Sequence, residues 1–294
     1  MLYAKTRGGE MVAPREVKDQ AICPVCGAVV VPKQGPIVTD HFAHLNREEC
    51  DPWAEPEKGE WHVFWQRHVE PGRREVVCSY PGDSQKHRAD MLAPTGHVVE
   101  VQHSSISVTD VAKREAFYGR VHRGVVWIVD ARQFWDRIET FIPGMRDREE
   151  IGQIRYELGE CGETGSIEYT WSNPRHTWFA ANSEVYLDPG RLQLDGGQRM
   201  FEGALFHLMS ADLGDPKRWD DYDPYDARSQ QPSGEGPSGY GEFVTKKELC
   251  RRYRLKLPDD YTNSEGYPSP RPNVTRAEVK NRNLHWSPPA PTTL

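Results

Sequence analysis

The stretch Lys86-His-Arg-Ala-Asp90-Met-Leu-Ala-Pro94-Thr-Gly-His-Val-Val-Glu100-Val-Gln102 decides the fold. Pro94-Thr95-Gly96 is a turn signal, and the segments on either side, Lys86–Leu92 and His97–Gln102, read as strands of a hairpin. In such a hairpin an acid on one strand and an acid on the next converge, here Asp90 and Glu100. Glu100 and Gln102, two apart on one strand, share a face. Two carboxylates within ~4–5 Å repel and are stable together mainly when a cation lies between them. Hard oxygen ligands suit Mg²⁺ or Mn²⁺ as that cation, and a polar Gln102 is placed to position an attacking water. Val98, Val99 and Val101 supply a buried strand to hold these groups rigid. The chemistry this suits is metal-assisted phosphodiester hydrolysis.

Upstream, residues 55–70 predict a helix. Trp61, Phe64, Trp65, His68 and Val69 fall at i, i+3, i+4, i+7 and i+8, and Pro71-Gly72 stops it. Residues 75–80 predict a strand, closed by Pro81-Gly82-Asp83. Downstream, residues 108–121 predict a second helix capped by Thr109, and Val125–Val129 is an apolar run suited to a strand buried on both faces. The order helix, three strands, helix, strand gives an α/β layered core. Arg88 shares the Asp90 face and is a candidate phosphate contact, whereas His87 reads as structural. Arg114 and Tyr118, one turn apart, read as a structural polar pair, and Ser104 as a group that orients Gln102 or caps its loop.

The first 52 residues form a separate β-rich module too small to support a core alone. Cys23-Pro-Val-Cys26-Gly27 has the spacing of a zinc knuckle, with Gly27 permitting the backbone after the second thiolate. Cys23, Cys26, His44 and Cys50 are the preferred ligands for Zn²⁺, with His41 as the substitute. Four protein ligands leave no position for water, so such a site is structural. Six cysteines, three of them within residues 23–50, suit a reduced, cytoplasmic protein with one metal site rather than a disulfide framework.

Four segments follow from these patterns: a zinc-binding module (1–52), a nuclease domain (53–145), a small β-rich extension (146–214) and a mostly disordered tail with a short basic helix (215–294). The formal net charge of −7 argues against a nucleic-acid partner only until its distribution is read. Residues 151–228 carry 7 Lys+Arg against 14 Asp+Glu, whereas Lys113, Arg114, Arg120, Arg123, Arg132 and Arg137 cluster within residues 111–137. Lys246, Lys247, Arg251 and Arg252 read as a solvated helix face, and the tail as a possible site for a protein partner. No run of apolar residues is long enough to cross a membrane, and no secretory signal is visible.

Taken together, Cys23-Pro-Val-Cys26, His41-Phe-Ala-His44, Cys50, His62, His87-Arg88-Ala89-Asp90, Glu100-Val-Gln102-His-Ser104, Arg114 with Tyr118, and the Trp127 strand resemble the competence protein CoiA-like family over roughly residues 1–135. The resemblance implies a zinc-finger module fused to a restriction-endonuclease-like domain of the PD-(D/E)XK superfamily, with an αβββαβ core and DNA as substrate. It places Asp90, Glu100 and Gln102 at the catalytic positions, Gln102 standing where the superfamily most often has lysine. It also brings in His62 from the first helix, with Glu60 as a candidate helix-borne acid. Ala89 replaces the motif proline, and Gln66 stands where relatives often have lysine. The expected activity is a Mg²⁺- or Mn²⁺-dependent deoxyribonuclease acting in DNA processing or recombination. The alternative is a catalytically inactive, zinc-stapled DNA-binding protein.

Overall fold

A computed structural model describes residues 1–36, 38–45, 50–53, 59–82, 84–141, 167–194, 199–202, 204–212 and 238–258. The N-terminal strands are β1 (Ala4–Lys5), β2 (Met11–Val12), β3 (Ala21–Ile22), β4 (Val29–Lys33) and β5 (His41–His44). They form one antiparallel sheet in the order β2-β1-β3-β4-β5. Its core is small: Ala4, Ala21, Cys23, Val25, Val30 and Phe42. A cluster of that size cannot offset the ordering entropy of some fifty residues, so the module depends on other ties.

Helix α1 (Glu60–Gln66) leads into β6 (Arg74–Ser79), β7 (Lys86–Leu92), β8 (Val98–Gln102), helix α2 (Val108–Gly119) and β9 (Val125–Asp130). This is the expected αβββαβ order. α1 is shorter than predicted, and residues 55–58 of its predicted start lie outside the described residues. The helix cap of α2 is Ser107, not Thr109: the Ser107 side chain accepts from the Asp110 amide at 3.0 Å. Strands β8 and β9 are parallel, in register Val98↔Val125 to Gln102↔Val129. Every residue of β9 is buried, as its unbroken apolar run requires.

The sheet does not stop at residue 145. After β10 (Ile138–Phe141) come β11 (Ile167–Trp171), β12 (Glu184–Asp188), a separate hairpin of β13 (Arg191–Leu194) and β14 (Arg199–Glu202), β15 (Ala204–Asp212) and β16 (Ser238–Thr245). The large sheet has nine strands, ordered β10-β11-β16-β15-β12-β9-β8-β7-β6. β12 lies parallel to β9, with Asp188 level with Asp130. Strands before residue 145, between 145 and 214, and after 214 therefore belong to one sheet. Residues 259–294 of the expected tail lie outside the described residues, but β16 sits between β11 and β15, and helix α3 (Lys246–Tyr253) follows it directly.

The helices cover both faces of this sheet. On one face α2 contributes Val111, Phe117 and Tyr118 to a cluster with Ala89, Val98, Trp127 and Trp171. On the other, α1 and α3 bring Trp61, Trp65, Leu249, Cys250 and Tyr253 against Val99, Val101, Val126, Ile128 and Tyr186. Lys246 corrects the reading of α3 as a solvated basic face. It is only 3% exposed, and its ammonium lies 3.9 Å from Asp188 and over the Phe64 and Trp65 rings. Asp188 Oδ2 also accepts from the indole nitrogens of Trp61 and Trp65, each at 3.0 Å. A fully buried carboxylate at the end of β12 thus anchors α1 to the extension.

Candidate functional site

The strands β7 and β8 pair only at Met91↔Val99 and Leu92↔Val98. Beyond that point the two acids replace the backbone ladder. The Asp90 amide donates to Glu100 Oε1 at 3.3 Å, and the Val101 amide donates to Asp90 Oδ2 at 3.0 Å. A buried amide needs an acceptor once its ladder partner is lost, and each carboxylate supplies one to the opposite strand. Both acids are buried, with Asp90 8% and Glu100 2% exposed.

Other groups complete the cluster. α1 presents His62, whose Nε2 lies 3.1 Å from Asp90 Oδ1, and Gln66, whose amide nitrogen is 3.2 Å from His62 Nε2 and 3.3 Å from the Asp90 carbonyl. Glu60 stands exposed at the start of α1, so the helix-borne group set against Asp90 is His62. Gln102 Nε2 donates to the Ser104 carbonyl at 3.0 Å and to its hydroxyl at 3.1 Å, so Ser104 orients Gln102.

From α2, Arg114 Nη1 donates to Glu100 Oε2 at 3.0 Å, and Nη2 donates to the Trp53 carbonyl at 3.0 Å. This guanidinium is a cation set against one of the two acids, Glu100. Burial opposes the Arg114 charge, yet Glu100 keeps its pKa above the ordinary arginine value. Tyr118, one turn on, has a buried hydroxyl without a hydrogen-bond partner, and burial with the nearby Glu100 charge pushes its pKa well up. Arg88 is not a surface phosphate contact. It is 7% exposed, with Nε 3.8 Å from Glu75.

In the N-terminal module the knuckle closes as expected. The Cys23 amide donates to Ala28, the Gly27 amide donates to Cys23 at 3.0 Å, and Gly27 has φ 77. Cys23 Sγ is 3.6 Å from Cys50 Sγ, and Cys26 Sγ is 3.4 Å from His44 Nε2. All four ligand atoms lie within 4.8 Å of one another. A tetrahedron with metal–sulfur bonds of ~2.3 Å has edges of about 3.8 Å, so this set could hold a zinc ion. His41 is outside it, with Nδ1 donating to the Thr39 carbonyl at 2.9 Å. Burial, with Cys23 and Cys26 alongside, raises the Cys50 thiol, a cost that a bound cation would reverse. Among the described residues no other group of three or more such ligands converges in this way.

The module is joined to the large sheet by buried polar contacts. Glu75, at the start of β6 with φ 47, accepts from the Leu2 and Tyr3 amides at 2.8 and 3.1 Å. Asp51 accepts from His87 Nδ1 at 2.9 Å and from the Arg88 amide at 2.8 Å. His87 is structural, as the sequence implied.

Residues 11–52 match the model of the N-terminal domain of competence protein CoiA, and residues 78–143 match that of the CoiA nuclease-like domain. Over these two stretches the chain is similar to CoiA. The two CoiA matches together cover less than half the chain and include the four zinc candidates, Asp90, Glu100, Gln102 and Arg114. They leave out α1, with His62 and Gln66, and everything after residue 143. No curated protein and no solved structure matches the chain. Among the described residues no helix is long and apolar enough to cross a membrane.

Proposed function

We propose that this CoiA-like chain is a metal-dependent DNA nuclease whose active site is Asp90, Glu100 and Gln102, with His62 beside them. The observation that carries this reading is the parting of β7 and β8, where each of two buried carboxylates takes an amide of the opposite strand in place of a backbone ladder. The donor set fits a hard divalent cation. Asp90 and Glu100 offer four oxygens, each with more than one lone pair, and Arg114 offsets only one of the two negative charges. When bound, Mg²⁺ or Mn²⁺ would supply Lewis-acid polarisation of a phosphate and a more acidic water. The chain's own residues do the rest. Asp90 and Glu100 would hold the ion. His62 orients the Asp90 carboxylate, and Arg114 fixes the rotamer of Glu100. Ser104 holds the amide of Gln102 where it can position water. DNA is the substrate proposed for the nuclease-like domain. Zinc in the Cys23, Cys26, His44 and Cys50 set would be structural, since four protein ligands leave no position for substrate. Glu60 is kept as a weaker candidate, since it stands exposed.

The Arg114–Glu100 pair favours one other reading, a DNA-binding protein with a silent nuclease fold, because it already compensates one acid without a metal. Cleavage assays with Mg²⁺ or Mn²⁺ on single-stranded, duplex and branched DNA separate the two. The expected result is cleavage by the wild type and a loss of at least ~100-fold in Asp90→Asn and Glu100→Gln, the scale of removing a group that stabilises developing charge. Equal cleavage by both variants would overturn the site. No cleavage of any substrate by zinc-loaded, folded wild type would favour the silent reading.

A further inference from the structure

Three parallel strands end together along one edge of the sheet. β8 ends at Gln102 and is followed by His103, β9 ends at Asp130, and β12 ends at Asp188. The carboxyl edge of parallel strands is where open α/β sheets bind ligands. Asp188 is spent inward on Trp61, Trp65 and Lys246. Asp130 is used differently. Its carboxylate accepts from His103 Nδ1 at 2.7 Å and from Arg132 Nε at 2.8 Å, with a further bond from Arg132 Nη2 at 2.5 Å.

The Asp130 side chain is 1% exposed, whereas those of His103 and Arg132 are 46% and 24% exposed. A buried carboxylate thus holds two nitrogen-rich side chains that reach the surface. The Trp61 ring flanks both, 6.4 Å from the His103 ring and 5.7 Å from the Arg132 guanidinium carbon. Arg175, on the Phe134 ring, adds a second guanidinium near enough to feel the Asp130 charge. This group adjoins the carboxylate site along the chain at two points, since His103 follows Gln102 and Trp61 precedes His62.

We propose that His103 and Arg132, held by Asp130, form a grip for a nucleic-acid phosphate next to the one addressed by Asp90 and Glu100. This deepens the proposed function and takes its substrate class from it. A phosphodiester needs donors in fixed positions, which Arg132 supplies from its guanidinium and His103 from Nε2–H as the imidazolium. Donors on side chains already locked by a buried acceptor lose little entropy on binding. A chain with net charge −7 also needs local positive charge where a polyanion is to approach.

The test is binding of the zinc-loaded full chain to a short fluorescent DNA duplex at low salt, without added Mg²⁺ or Mn²⁺, by anisotropy. His103→Ala should weaken binding about tenfold, the loss of one hydrogen bond to a charged group, in a chain that still unfolds cooperatively because Arg132 keeps its pair with Asp130. Arg132→Lys keeps the charge and loses the fork, and should weaken binding with a similar salt dependence. Lys33→Ala, an exposed lysine at the end of β4, should bind as wild type. Unchanged affinity in His103→Ala, or an equal loss in Lys33→Ala, overturns the grip. Wild type that binds but never cleaves leaves the grip standing and removes the hydrolytic reading. Wild type that binds no DNA overturns both.

Discussion

Glu100 shows how a single residue changes meaning once its partners are known. Read in sequence, it repels Asp90, so its removal should relieve strain. In the fold it is the counter-ion of Arg114, which is 8% exposed. Breaking such a pair strands a buried charge, at a cost of about 3–5 kcal/mol. Glu100→Ala should therefore destabilise the protein by roughly that amount in urea, and pairing it with Arg114→Met should recover most of the loss. A Glu100→Ala protein as stable as wild type would show the pair to be unimportant. His68 gives a second residue-level expectation. Its Nδ1 donates to the Phe64 and Trp65 carbonyls, its Nε2 is buried without a hydrogen-bond partner, and burial lowers its pKa to about 4. The folded state therefore resists protonation of His68, while the unfolded chain accepts it near pH ~6.5. The stabilisation is complete above that pH and is lost as pH falls toward 4, by on the order of 3 kcal/mol. Urea unfolding from pH 7.5 to 4.5 should show this slope, and His68→Leu should flatten it. An identical slope in the variant would remove His68 as its source.

At the level of elements, the N-terminal sheet and α1 depend on ties of different kinds. The sheet's core cluster has six buried residues, Phe42 among them, too few to hold strands of two to five residues. The Cys23, Cys26, His44 and Cys50 set is its remaining staple. Purified under non-chelating conditions, the protein should contain about one zinc per chain. A chelator, or Cys26→Ser, should raise amide exchange throughout β1–β5 while the large sheet stays protected. Protection unchanged by complete zinc removal would show that Glu75 and Asp51 hold the module without metal. α1 is held instead by the Asp188 carboxylate, through the indole nitrogens of Trp61 and Trp65. An element beyond residue 143 thereby sets the position of His62, although neither family match reaches that far.

For the whole molecule, the nine-stranded sheet makes the C-terminal elements part of the nuclease-like unit. The sequence alone supports truncating near Leu213 with activity kept, because residues 215–242 are rich in Asp, Pro, Ser and Gly. In the structure that cut removes β16 from between β11 and β15, and with it Leu249, Cys250 and Tyr253 from beneath Trp65. A chain ending at residue 213 should be insoluble or molten, whereas one ending at residue 258 should keep wild-type melting and DNA binding. A cooperative, native-like transition in the shorter chain would show the sheet to be complete without β16.

Much of this architecture is local and so is readable in sequence. The Pro94-Thr95-Gly96 turn, the apolar run of β9, the knuckle at Cys23 and Cys26 and the αβββαβ order all follow from short-range periodicity and turn chemistry. Tertiary structure alone decided what depends on distant partners. It brought His62 rather than Glu60 to Asp90, and left His41 outside the cysteine cluster. It also set Arg114 on Glu100, tied α1 to Asp188 across more than a hundred residues, and brought Lys246 to the same carboxylate. A buried charge is tolerated only where a partner meets it, and no local pattern records which distant segment supplies that partner.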